Sequence, residues 1–287
     1  MTVERVDRKK LKADVKELFR TAQVSPKGMA ALYLGLGLAL SFVNQLANRN
    51  SSDSLISPVG LFVTILTALL SSVLAVGFVL YCMAIRRGER AEYLTLFDGF
   101  SFVGKTIALE LLTSLFIMLW SMLFIVPGIV AAYRYQFALY NLCENPGIGV
   151  MEALDMSKRQ TWGYKGQLFV LNLSYLGWEL LSTFPLIIIL GYIFHIAFQM
   201  TYQGGDYVPW GLLLHPGPFL LLTVLAGIWS FVVDLFYLPN FCCVKLGYFE
   251  TAKRTSGVGI QRSEPPQLED GSDGGWNGGW NGGWGQE

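Results

Sequence analysis

Apolar residues run along this chain in long blocks separated by short polar links, and the blocks have the length a bilayer demands. A helical span takes about 20 apolar residues. Gly28–Ala47 and Pro58–Ile85 satisfy that length, and the link "NRNSSDSLIS" between them makes them an antiparallel pair. In the first block Gly35 and Ala39, and Gly37 and Ser41, stand four apart, a spacing that lets another helix approach closely. The next block, Thr106–Cys143, is 38 residues long, and its only formal charges are Glu110 and Arg134. As one helix it would extend ~57 Å, longer than the ~40–45 Å of a bilayer with its headgroups, so it must turn. Pro127 has no N–H to donate and Gly128 is permissive in φ, so the pattern predicts a hairpin at Pro127-Gly128. The last two spans begin at about Gly166 and Gly217. The earlier of them is over-long, reaching roughly Met200, with Pro185 expected either to kink it or to mark where it leaves the core. "TYQGGDYVPWGLLLHPGP" follows as an outer loop with Tyr207 and Trp210 at the interface.

Charge placement selects among topologies. Of 287 residues 53% are hydrophobic and 15% charged, the balance of a polytopic membrane protein, and a net charge of zero hides a strong asymmetry: eight of the 21 Lys and Arg precede Gly28. With the N-terminus cytoplasmic, a hairpin at Pro127-Gly128 puts Arg86, Arg87, Arg90, Lys105, Lys158, Arg159, Lys165 and the basic residues of the tail inside, leaving Arg49 outside and Arg134 within a span. Without the hairpin everything after Gly128 inverts and the positive-inside tendency is violated. The expected fold is therefore all-α: a polytopic transmembrane helical bundle of about six spans, both termini cytoplasmic. Its returning arm, about Gly128–Cys143, is short. The first apolar run follows a 27-residue charged segment, too long for the basic start of an ordinary signal peptide, and reads as a retained span.

Three regions follow: a basic amphipathic segment over 1–27, a transmembrane helical domain over 28–245, and a cytoplasmic low-complexity tail over 246–287. In the first, Leu11, Val15, Leu18, Phe19 and Ala22 keep helical spacing while Arg8, Lys9, Lys12, Lys16 and Arg20 fill much of the remainder. This suits the anionic inner leaflet of a lipid bilayer better than nucleic acid, since the segment runs directly into a span. A second interfacial helix is expected over Gly149–Trp162, with Met151, Leu154 and Trp162 sharing a face and Asp155 paired to Arg159. The tail carries "GGWN", "GGWN" and "GGWG", too glycine-rich to build a core; either its spaced indoles rest at the headgroups or dock into a protein partner, or it is a solubilising low-complexity end.

Chemical signals are sparse. The two histidines, His195 and His215, lie in no HExxH, and neither a phosphate-cradling loop nor a nucleophile elbow is present. Cys82, Cys143, Cys242 and Cys243 sit in or beside apolar blocks without CxxC spacing, as membrane-buried thiols, so no cofactor or metal is expected. The unusual groups are ionisable residues inside spans: Glu110, Arg134, Asp234 and Glu179. A charge at mid-bilayer costs at least ~2.5–3.5 kcal/mol on insertion scales. Glu110, Arg134 and Asp234 fall at similar depths and form a candidate buried polar cluster, Arg134 paired with Glu110 or, failing that, Asp234. Glu179 lies deeper, near Pro185.

The blocks "LFDGFSFVGK", "LLTSLFIMLWSMLFIVPGIVAAYRYQFALYNLCENP", "EALDMSKRQTWGYKGQLFVLNLSYLGWELL" and "LPNFCCVKLGYFE" occur in that order. Together they resemble the bacterial integral-membrane proteins grouped as the domain of unknown function 975 family, over about 8–184 and 230–250. Pro185–Trp229 is longer than that pattern. The resemblance implies a multi-pass protein of the bacterial cytoplasmic membrane and carries no assigned reaction. Three functions are compatible with this reading: a non-enzymatic envelope accessory or scaffold acting through partners; a small transporter or channel with a polar path around Arg134 and Glu110; and, lacking any visible catalytic set, a lipid-acting membrane enzyme.

Overall fold

The computed structural model describes residues 4–48, 58–202 and 216–260, and every regular element among them is helical. In chain order they are α1 (Arg8–Thr21), α2 (Pro26–Asn48), α3 (Pro58–Arg87), a 3-10 segment (Tyr93–Phe102), α4 (Val103–Leu123), α5 (Ile125–Tyr135), α6 (Ala138–Glu144), α7 (Val150–Gln160), α8 (Lys165–Tyr202) and α9 (Pro216–Ser256). The link at 49–57, the loop at 203–215 with Tyr207, Trp210 and His215, and the tail from 261 lie outside the described residues.

Five helical stretches are long and apolar enough to cross a membrane: Pro26–Asn48, Pro58–Arg87, Tyr93–Leu123, Lys165–His195 and Val224–Ser256. The returning arm expected after Pro127 is built from two shorter helices, α5 and α6. Its course is settled by where it ends. Lys105, near the start of α4, donates through Nζ to the carbonyls of Pro146 and Ile148, just beyond α6. The chain thus leaves along α4 and comes back to the same end of the bundle. The reversal itself falls at Phe124, in extended backbone (φ −160°, ψ 153°), and not at Pro127-Gly128 as the sequence suggested. Pro127 sits in the first turn of α5, where a missing N–H costs no intrahelical bond. Gly128 serves close packing: a Cβ there would lie 2.1 Å from Ser121 Oγ on α4. Tyr135 and Phe116 meet in a tilted ring contact across the same hairpin, ring centroids 5.7 Å apart.

The α5–α6 bend is stabilised from outside. Ser157 on α7 donates to the Arg134 carbonyl (2.8 Å) and accepts from the Phe137 N–H (3.1 Å), so the two backbone groups freed by the bend are satisfied. Asn141 and Gln160 exchange two amide hydrogen bonds of 2.8 Å, both side chains buried.

One end of the bundle is strongly tied. Arg86 reaches Glu250 and the Cys243 carbonyl; Glu144 takes both Arg87 (2.9 Å) and Lys253 (2.7 Å); Arg254 pairs with Glu4 (2.7 Å). Arg86, Arg87, Lys253 and Arg254, which the charge pattern grouped on one side, therefore do share one end. The largest buried side chains, among them Tyr81, Leu96, Phe137, Leu142, Leu246 and Tyr248, lie in this half. Helical packing continues beyond residue 245: Leu246, Tyr248, Phe249 and Ala252 are all buried, so α9 belongs to the body as far as Ser256. At 41 residues, α9 would span ~60 Å, more than a bilayer with headgroups, so its ion-paired last turns stand in water. Farther from this end the helices expose large apolar side chains, such as Leu119, Met122, Leu190 and Leu221, as lipid contact requires.

Both interfacial helices are present with altered roles. In α1, Val15 is fully buried and Leu11, Leu18 and Phe19 pack on the core, so its apolar stripe covers protein rather than lipid. In α7 the Asp155–Arg159 pair forms (3.0 Å), but Leu154 turns into the core, away from exposed Met151 and Trp162. A helix that must cover a bundle takes its inward face from the neighbours it meets, which spacing along one helix does not reveal.

Candidate functional site

The candidate cluster does not assemble. Glu110 on α4 accepts from Ser72 Oγ on α3 (2.6 Å), while Asp234 on α9 accepts from Ser182 Oγ on α8 (2.8 Å). Arg134 makes no ion pair among the described residues; it occupies the last turn of α5, its carbonyl held by Ser157 and Thr161 near the tied end. The reason is geometric. The hairpin places α5 between α4 and α7, and Arg134 emerges at the polar end, where water solvates a guanidinium without a carboxylate. Glu179 is exposed on α8. Pro127 and Gly128, the expected helix break, act in the α5 start and the α4–α5 contact as described above.

Each carboxylate instead lines a cavity of its own. Glu110 borders a small one, about 280 Å³, with Thr113, Ser114 and Tyr135. Asp234 borders a groove of about 400 Å³ between α2, α3, α8 and α9, whose wall includes Gly37, Ser41, Ser71, Gly227 and Ser230. Added Cβ atoms at Gly37 and Gly227 would meet nothing within 4 Å, so the groove is open at both glycines.

Pro185 organises the α8 wall. Lacking an N–H, it leaves the carbonyl of Leu181, four residues earlier, without its helical donor, and its ring crowds that turn. Trp229 Nε1 donates to the Leu181 carbonyl (2.8 Å) and Ser230 Oγ to the Ser182 carbonyl (2.8 Å), both from α9. Irregular backbone inside a membrane persists where protein re-satisfies it. Asp234, one turn beyond Ser230 on α9, completes the seam by accepting the Ser182 hydroxyl. Among the described residues only Oδ1 is so engaged, which leaves Oδ2 as an acceptor beside the groove. Trp229 and Ser230 carry no signal in the apolar pattern. Their pairing with Pro185 was legible only as two donors standing somewhere in a later span.

The four cysteines are free and buried, and no group of three His, Cys, Asp or Glu among the described residues is placed to hold a metal ion. The arrangement around Asp234 offers a carboxylate oxygen and small-residue walls, a surface for binding through packing and one strong hydrogen bond.

The matched part of the chain runs from the first turn of α5 through α6 and α7 to the end of α8. Residues 126–207 match the family described as Protein of unknown function (DUF975). This is the family that the ordered sequence blocks resemble, and the match takes in Pro127, Gly128, Arg134, Ser157, Ser182 and Pro185. No curated protein and no solved structure matches the chain.

Proposed function

We propose that this protein is a non-enzymatic accessory or scaffold of the bacterial cytoplasmic membrane, with both termini in the cytoplasm, acting through protein partners that dock in the Asp234 groove. The observation that carries the reading is the groove itself: glycine and serine walls on α2, α3 and α9 admit a helix at close range, and the unspent carboxylate oxygen supplies a directional contact. Desolvating that oxygen without a donor is costly, so a partner that brings a hydroxyl, amide or cation is selected over lipid. The tied polar end keeps α3, α6 and α9 in fixed relation beneath it. The second reading, a small transporter or channel with a polar path around Arg134 and Glu110, would use the smaller Glu110 cavity instead.

The test uses a photo-crosslinking residue at Leu38 or Phe231, both in the groove wall, in cells. A discrete protein adduct lost in Gly37→Leu and Gly227→Leu variants, while adducts from Leu115 on the outer side of α4 persist, supports docking. Lipid adducts alone, or solute flux in proteoliposomes that depends on Asp234, overturn it.

A further inference from the structure

The start of the chain builds a second cavity that the partner reading does not use. Residues before and within the first turns of α1 run alongside α8: Glu4 N–H donates to Tyr164 Oη (3.1 Å), Val6 N–H to Gln167 Oε1 (3.1 Å), Arg8 Nη1 to the Val170 carbonyl (3.4 Å) and Lys12 Nζ to Ser174 Oγ (3.3 Å). Between the two lies a cavity of about 580 Å³ bordered by Arg5, Arg8, Lys9, Lys12 and Ser174, with Val6 and Asp7.

Positive charge here exceeds what the protein neutralises. Asp7 is the acidic side chain on the lining, and its Oδ1 accepts the N–H groups of Lys9 (2.9 Å) and Lys10 (3.4 Å) as the cap of α1. None of Arg5, Arg8, Lys9 and Lys12 makes an ion pair among the described residues. The Lys12 ammonium also lies 4.2 Å from the centre of the Tyr175 ring. Burial first, and the Arg8 guanidinium second, lower the Lys12 pKa. Arg8 has spent one of five N–H donors on Val170, which leaves its fork for a planar or tetrahedral anion.

Location narrows the anion. Ser174 is nine positions along α8 from Lys165, ~14 Å from the aqueous start of the helix. The neighbouring Phe169, Val170 and Leu173 are exposed apolar side chains on a helix long and apolar enough to cross a membrane, a surface that lipid would cover. Cations at the edge of a lipid-facing apolar surface stand at headgroup depth, where phosphate is the abundant anion.

We infer that this cavity binds the phosphate of an anionic phospholipid, with Arg5, Arg8 and Lys9 on the phosphate oxygens and the acyl chains along Phe169 and Leu173. Four cations repel the choline or ethanolamine of a zwitterionic headgroup, so the site discriminates by headgroup charge. It is independent of whether a partner fills the Asp234 groove.

The test is native mass spectrometry of the full chain in detergent, titrated with phosphatidylglycerol, phosphatidylcholine or inorganic phosphate. The expected result is one saturable phosphatidylglycerol adduct that phosphatidylcholine does not reproduce and millimolar phosphate does not displace. Arg5→Gln with Lys9→Gln, which removes no hydrogen bond that holds α1 to α8, should weaken it about thirtyfold, the change that two cations near an anionic surface carry. Lys158→Gln with Arg159→Gln, on α7, should leave it within threefold. Equal retention of phosphatidylcholine, displacement by inorganic phosphate, or equal loss in the α7 variant each overturns the assignment, the last by showing diffuse attraction instead of a site.

Discussion

Replacing Gly77 with alanine would put a Cβ 1.9 Å from the carbonyl oxygen of Leu96, 2.4 Å from its carbonyl carbon and 2.6 Å from its Cα. All three atoms are backbone, so no rotamer change relieves the clash. Non-bonded carbon contacts settle at about 3.5–4.0 Å, so the 3-10 segment would have to move off α3 by roughly 1.5 Å. That movement also opens the reciprocal contact, where Gly99 of the segment lies against the Val73 carbonyl and the Val76 side chain. Over-packing of this kind costs about 1–3 kcal/mol, and a gap on both sides of Leu96, which is fully buried, puts Gly77→Ala at the upper end. Alanine's better helix propensity returns at most about 1 kcal/mol. We expect the melting temperature in detergent to fall by roughly 4–8 °C, with a broader size-exclusion peak. Gly35→Ala on α2 is the control: a Cβ there meets nothing within 4 Å, and no loss is expected. A Gly77→Ala protein that melts with wild type, or a Gly35→Ala protein that loses as much, would refute the close approach of the segment to α3.

Glu250→Ala should destabilise more than Arg86→Met, because the Arg86 side chain is 11% exposed and the Glu250 side chain 49%, so only the guanidinium is left desolvated and unpaired; the double variant should recover part of the loss in the same melting assay. Arg134→Ala should change stability by no more than about 0.5 kcal/mol, since no ion pair is lost, and a large drop would show a partner that the fold does not provide. Single cysteines at Lys158, Arg254 and Gly88, in a background without the four native cysteines, should label from one and the same side of the membrane; labelling of Lys158 opposite to Gly88 would break the α4–α5 hairpin.

Hydropathy and charge along the chain determined the all-helical class, the long spans, the existence of a reversal inside Thr106–Cys143, and the gathering of basic residues at one end. These are properties of length and composition: a 38-residue apolar run outlasts a bilayer whatever it packs against, and cations cluster on the side that keeps them in water. The i,i+4 pair of Asp155 with Arg159 was legible for the same reason, being local to one helix. What needed the tertiary structure was every pairing between helices. The turn moved from Pro127 to Phe124 because a proline is at no disadvantage in a first turn, and the close packing of Gly128 on Ser121 favours starting α5 early. Glu110, Arg134 and Asp234 share a depth in the sequence count, yet depth is one coordinate of three; rotation about each helix axis turned the carboxylates toward Ser72 and Ser182 and sent Arg134 to the polar end. The seam that satisfies Pro185 depends on Trp229 and Ser230, some 45 residues later, and only the packing of α9 against α8 brings those donors to carbonyls that the proline has freed.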